Sequence, residues 1–151
     1  MEQIQVKIER FDHGRAEAIV PRYATDGSAG MDLHACLKED LLIEPGKTVK
    51  VPTGIAIELP GPHLVALVFA RSGLAANKGI SLANAVGVID SDYRGEIGVL
   101  IQNNGIDSFK ISHGDRIAQI LFMPVFQAVL IEEKSLKKTA RGVGGFGSTG
   151  L

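Results

Sequence analysis

Apolar and polar residues alternate with period two through most of this chain. The runs are Ile4-Val6-Ile8, Met31-Leu33-Ala35, Val49-Val51, Ile55-Ile57-Leu59, Leu64-Ala66-Val68, Ile97-Val99-Ile101 and Ile117-Gln119-Leu121. Turn residues punctuate them at Pro45-Gly46, Pro52, Pro60-Gly61-Pro62, Gly87, Gly95 and Gly114-Asp115. Many short strands at close spacing predict an all-β domain, an antiparallel sandwich or barrel such as a jelly roll. Helical spacing is scarce. The best candidate runs from Ser72 into Asn77 and ends at Lys78-Gly79 in the manner of a glycine C-cap. The β pattern accounts for residues 1–130 as one domain. Residues 131–151 change texture: 132–139 read as a charged, solvated linker, and 141–150 are rich in glycine. So much glycine loses a large conformational entropy on ordering, so the arm is expected to be flexible and not to fold independently.

Composition narrows the classes. The chain has 151 residues, 45% hydrophobic and 22% charged, as expected of a single soluble domain with its own core. A net charge of −1 argues against a broad basic face for nucleic acid or anionic membrane, so direct binding to either is not expected. An anionic ligand would need a local group of arginines instead. A single cysteine, Cys36, rules out an internal disulfide framework and is expected to act as a small buried apolar residue. His13, His34, His63 and His113 lack metal-binding spacing. No apolar run is long enough to span a bilayer and the amino terminus lacks a signal-peptide core, so a cytoplasmic location is expected.

Residues 84–95, Asn-Ala-Val-Gly-Val-Ile-Asp-Ser-Asp-Tyr-Arg-Gly, carry the most chemistry. Asp90 falls where an apolar strand meets a polar turn, a place where a carboxylate can be held rigid and partly dry. Asn84 offers an amide that donates and accepts at once, suited to the edge of a planar heterocycle. Tyr93 offers a flat face. An ordinary β-hairpin fits the same residues. Arg71-Ser72-Gly73 sets a guanidinium and a hydroxyl at a strand end where the helix opens, a plausible phosphate cradle; Ser72 as a simple N-cap is the competing account. Asp32 lies within an apolar strand and must be paired or functional. Gln119 is on the strand face opposite Ala118 and Ile120, where an outward polar residue is also ordinary. The arm supplies Arg141, Phe146, Ser148 and Thr149 among glycines, an inventory for wrapping a phosphorylated ligand; a frayed end is the plain alternative.

Taken jointly, these motifs resemble the trimeric dUTPase family of the bacterial type. Five segments carry the likeness in order: residues 29–33 (Ala-Gly-Met-Asp-Leu), Arg71-Ser72-Gly73, residues 84–95, residues 114–119 and the arm 141–150. One departure is Ala70, where many relatives carry Pro. The resemblance implies a homotrimeric jelly roll that hydrolyses dUTP to dUMP and pyrophosphate. That activity limits uracil entry into DNA and supplies dUMP. It implies Mg²⁺ carried by the substrate triphosphate, with Asp32 touching it only through water. Asp90 would be the general base. Arg71, Ser72, Gly73 and Gln119 would hold phosphates. Arg141, Ser148 and Thr149 would close over the γ-phosphate. Asn84, Gly87, Ile89, Tyr93 and Gly98 would form the uracil and deoxyribose pocket, with Phe146 covering the base. A dCTP deaminase of the same fold and a catalytically silent nucleotide-binding trimer are the rival expectations. The deaminase would need a glutamate beside the pyrimidine.

Overall fold

The computed structural model describes residues 3–12, 14 and 16–145. Eleven strands and one short helix follow one another: β1 (Lys7–Arg10), β2 (Met31–His34), β3 (Leu41–Ile43), β4 (Thr48–Pro52), β5 (Ile55–Glu58), β6 (Leu64–Phe69), α1 (Ser72–Lys78), β7 (Ile80–Leu82), β8 (Val86–Ile89), β9 (Gly98–Asn103), β10 (Phe109–Ile111) and β11 (Arg116–Pro124). Every pairing is antiparallel. One four-stranded sheet has the order β2-β11-β6-β8 and a three-stranded sheet the order β4-β9-β7; β1-β5 and β10-β3 make two-stranded ribbons. The all-β, jelly-roll-like expectation therefore holds. Among the described residues no helix is long and apolar enough to cross a membrane.

Alternation builds the core where it is cleanest. Leu64, Ala66 and Val68 of β6 point inward, as do Val99, Ile101 and Asn103 of β9. They meet Leu33, Ile43, Val51, Ile55, Ile111 and Ile120 in one apolar cluster that also holds Cys36, buried as expected. The Cys36 thiol donates to the Ala16 carbonyl at 3.1 Å. Gly54, with φ +71°, brings the chain against it: a Cβ there would stand 2.8 Å from the sulfur and 2.7 Å from Ala18.

Thr53 and Asn103 are the buried polar residues among those described, and Asn103 has no exposed surface. Its amide donates to the carbonyls of Ile43 and Asp107, each at 2.8 Å, and its oxygen accepts the Gly105 N–H at 2.9 Å. The side chain thus ties β9 to β3 and closes the following turn. Asn103→Ala removes one buried and two partly buried hydrogen bonds and is expected to cost about 3 kcal/mol, at about 1 kcal/mol for each bond lost. A shift in the urea midpoint at matched protein concentration measures it.

Two sequence expectations change. The run Ile117-Gln119-Leu121 does not share one face. A β-bulge between Arg116 and Ala118 puts Ile117 and Ala118 both in the core, while Gln119 and Leu121 remain half-buried opposite Ala118 and Ile120. An inserted residue resets the pleat, which periodicity cannot anticipate. Strand β1 forms, but its side is not covered: Ile4 and Ile8 are 43% and 41% exposed.

The chain leaves the body after β11. Val125 donates a last backbone bond to His63 at 2.9 Å. Beyond it, Phe126, Val129, Leu130 and Ile131 stand 80–95% exposed, an apolar stretch that the charged-linker reading of the neighbouring residues overlooked.

Candidate active site

The turn after β8 is tightly held by its own backbone. Tyr93 N–H bonds to the Asp90 carbonyl at 3.1 Å, and Arg94 donates to the Ser91 and Tyr93 carbonyls at 2.8 and 3.1 Å. Tyr93 folds back over Gly95, where a Cβ would lie 2.3 Å from the phenol oxygen, and its hydroxyl donates to the Glu96 carbonyl at 3.1 Å. Glu96 in turn accepts the Gly54 N–H at 2.7 Å. The ring is therefore set by a glycine below it and a carbonyl at its tip.

At the other end of β8 the chain makes a three-residue turn. Val86 N–H bonds to the Asn84 carbonyl at 2.6 Å around Ala85, whose φ is +58°. A non-glycine residue in that region is strained, and such strain collects where a ligand fixes the backbone. Gly87 is pressed against Val68 of β6, with a Cβ position 3.1 Å from the valine and 3.7 Å from the Asn84 amide nitrogen. A side chain at 87 would crowd Val68 while standing in ordinary contact with the amide.

Between these ends lies a cavity of about 230 Å³, lined by Asn84, Gly87, Ile89, Asp90, Tyr93 and Gly98 together with Lys50, Val68 and Glu96. All six pocket residues that the motifs nominate in β8, its turn and β9 thus border one space. Pockets for drug-sized ligands run to roughly 300–1,000 Å³, so this one suits a base and part of its sugar. Asp90 itself is exposed in the chain, not partly dry as its position suggested.

A second group forms where β2, β11 and β6 lie side by side. The register pairs Gln119 with Asp32 on one flank and with Phe69 on the other. Asp32 is held by two guanidiniums: Arg71 Nε at 2.9 Å from Oδ1 and Arg116 Nη1 at 3.3 Å from Oδ2. Arg71 also donates to the Arg116 carbonyl at 3.3 Å, and the Gln119 amide donates to the Ala70 carbonyl at 3.0 Å. The acid inside the apolar strand is thus paired. Arg71 keeps further N–H donors for an anion, and each Asp32 oxygen keeps a lone pair. His34, two residues along β2, has its pKa lowered chiefly by burial, with Asp32 opposing and Arg116 and Arg71 adding to the fall. Among the described residues its Nδ1 is buried without a hydrogen-bond partner.

Helix α1 follows directly. Its N-cap is Arg71, and Ser72 is the first helical residue, with no side-chain capping bond, which corrects the simple N-cap account of Ser72. Ser72 and Gly73 are exposed beside the guanidinium. The helix ends at Gly79, φ 66°, whose N–H reaches the Ala75 and Leu74 carbonyls, the predicted glycine C-cap.

The two groups are apart within one chain. Asp90 follows Ile89, the partner of Ala66, and so stands level with Val65, six residues before Arg71. At ~3.3 Å per residue the separation is roughly 20 Å. Arg141 joins neither group. It is exposed and bonds within the arm, Nε to the Gly144 carbonyl at 2.8 Å. Phe146, Ser148 and Thr149 lie outside the described residues. Sequence reasoning missed three contributors here: Ala85, Glu96 and Lys50. Ala85 lies inside the 84–95 motif but reads there as an ordinary apolar residue, Lys50 lies in no motif, and Glu96 falls one residue past the Gly95 that closes the turn.

The all-β domain thus carries a cavity beside β8 and β9 and, apart from it, a carboxylate held by two arginines. Similarity to known proteins is more specific: the family model described as dUTPase matches residues 16–150, and the chain belongs to that family. A deoxyuridine 5′-triphosphate nucleotidohydrolase of Desulfitobacterium hafniense is 54% identical over 151 residues, covering 100% of this chain and 99% of that one. One from Escherichia coli is 49% identical over 150 residues, covering 99% of each. Among solved structures, a point mutant of the Staphylococcus bacteriophage 80alpha dUTPase with dUpNHpp superposes with a TM-score of 0.85 at 22% identity, covering 97% of this chain and 99% of that one. A point mutant of the dUTPase from phage phi11 of S. aureus, which coordinates a structural Mg(II) ion, superposes at 0.77 and 21% identity, covering 89% of this chain and 99% of that one.

Proposed function

We propose that this protein hydrolyses dUTP to dUMP and pyrophosphate at sites assembled between copies of the chain, three per trimer. The observation that carries the reading is the single cavity bordered by Asn84, Gly87, Asp90, Tyr93 and Gly98, in a chain of the dUTPase family. Uracil enters this cavity and is read by main-chain groups of β8 and β9 and by the Asn84 amide. A thymine methyl meets the wall, and cytosine presents a donor where an acceptor is wanted. Unpaired polar groups in a dry site discriminate far more strongly than a methylene does. Tyr93, fixed over Gly95, packs on the deoxyribose and leaves no room for a 2′-hydroxyl.

Asp90 accepts a proton from a water as its oxygen attacks the α-phosphorus in line, and pyrophosphate departs. A base must be within about 3 Å of its water. Arg71, roughly 20 Å from Asp90 along β6, therefore cannot serve the same phosphate from the same chain. A second copy supplies Arg71, Ser72, Gly73 and Gln119 to meet the phosphates. The apolar stretch from Phe126 to Ile131, exposed in the single chain, favours such an assembly. Arg141, Ser148 and Thr149 then close on the γ-phosphate and Phe146 on the base.

Mg²⁺ comes with the substrate. Both Asp32 oxygens already accept guanidinium N–H bonds, an arrangement that fits a bridging water to the ion better than direct ligation. When bound, the ion neutralises charge on the phosphate oxygens. The deaminase reading gains little, because the pocket's glutamate, Glu96, is engaged with the Gly54 N–H. Pyrophosphate release assayed across dUTP, dCTP, dTTP and UTP tests the proposal. Release from dUTP alone is expected, whereas ammonia from dCTP, or no turnover of any of the four, contradicts it.

A further inference from the structure

Lys50 belongs to none of the five motifs, yet it borders the nucleoside cavity. It lies on the outward face of β4, paired in register with Leu100, so Gly98 is its diagonal neighbour on β9. Because Gly98 lacks a side chain, the lysine stem lies across it. A Cβ on Gly98 would stand 2.2 Å from Lys50 Cε, 3.0 Å from Cγ and 3.2 Å from Cδ. The stem thus forms a wall of the cavity, and the ammonium sits at its far end.

The charges around that cavity make the position informative. Asp90 and Glu96 are its acids, and Lys50 is the cation among its lining residues. Among the described residues the Lys50 ammonium has no ion-pair or hydrogen-bond partner. Glu96 is engaged with Gly54, and Arg94 is turned onto the backbone of its own hairpin. A dUMP unit bound here brings its α-phosphate to the same rim as Asp90, where two carboxylates would otherwise oppose it. Arg71 reaches that phosphate only from another copy.

We propose that Lys50 is a specificity-determining residue: its stem packs on the nucleoside and its ammonium pairs with the α-phosphate, so that the pocket prefers nucleotide to nucleoside. The inference rests on the uracil-nucleotide reading above. A flexible four-carbon stem with a compact charge suits a contact that must form after the base has entered. Lys50 is exposed, so substitution leaves the core intact.

The test compares dUMP and deoxyuridine binding, by ligand-observed NMR titration, in the unaltered protein, Lys50→Met and Lys50→Arg, with thermal melts as a check on folding. Lys50→Met should weaken dUMP about 10-fold and leave deoxyuridine unchanged; Lys50→Arg should recover most of the loss. Raising salt should narrow the gap between the two ligands in the unaltered protein but not in Lys50→Met. Equal changes for both ligands, or none, overturn the role of Lys50. Failure of the unaltered protein to bind either ligand overturns the functional reading itself.

Discussion

Asp90→Asn is expected to bind dUTP within a few-fold of the unaltered protein while turning it over at least ~100-fold more slowly, the usual scale for loss of a positioned general base. The substitution keeps the size and hydrogen-bonding shape of the side chain and removes its capacity to accept the water's proton. The surrounding turn should survive, since it is built from the Tyr93 N–H to Asp90 carbonyl bond and the two Arg94 donors, none of which uses the carboxylate. Single-turnover rates with separately measured affinity distinguish loss of chemistry from loss of binding. Near-normal turnover would remove Asp90 from the role of base.

Deleting residues 141–151 is the second large effect. The folded body ends with β11 and the Val125 to His63 bond, and Arg141 makes its hydrogen bonds within the arm. Melting temperature and assembly should therefore hardly move. Turnover of dUTP should fall by about 100-fold or more, because on the proposed reading the arm brings a cation and hydroxyls to the γ-phosphate and closes over the bound substrate. A truncated protein with an unchanged rate would return the arm to the status of a frayed end.

How far these residues could be read from the sequence depends on what each one touches. Strands β6 and β9 were legible because one face of each meets the core and the other does not, so burial and alternation coincide. The short helix was legible from its terminal glycine, whose positive φ closes it. The bulge at Ile117 was not, since an extra residue in one strand leaves no mark on composition. Asp90 was found by the contrast between an apolar strand and a polar turn, but its exposure was not, because the alternation of β8 says nothing of how the turn beyond it is covered. Ile4, Ile8 and the stretch from Phe126 to Ile131 stand exposed in the single chain, and on the proposed reading their apolar patterning records burial between copies. Lys50 was invisible for another reason. It looks like any outward lysine until Gly98, nearly fifty residues away, lets its stem lie across the pocket.

The assembled site is tested most directly by mixing defects. Asp90→Asn and Arg71→Ala chains, each nearly inactive alone, are co-expressed in equal amounts and the whole population of oligomers is purified for dUTP turnover. If each site takes Asp90 from one copy and Arg71 from another, random association leaves about a quarter of sites with both groups intact, and activity returns to about that fraction. Mixed oligomers no more active than either parent would mean that a single chain carries the whole site, which contradicts assembly between copies.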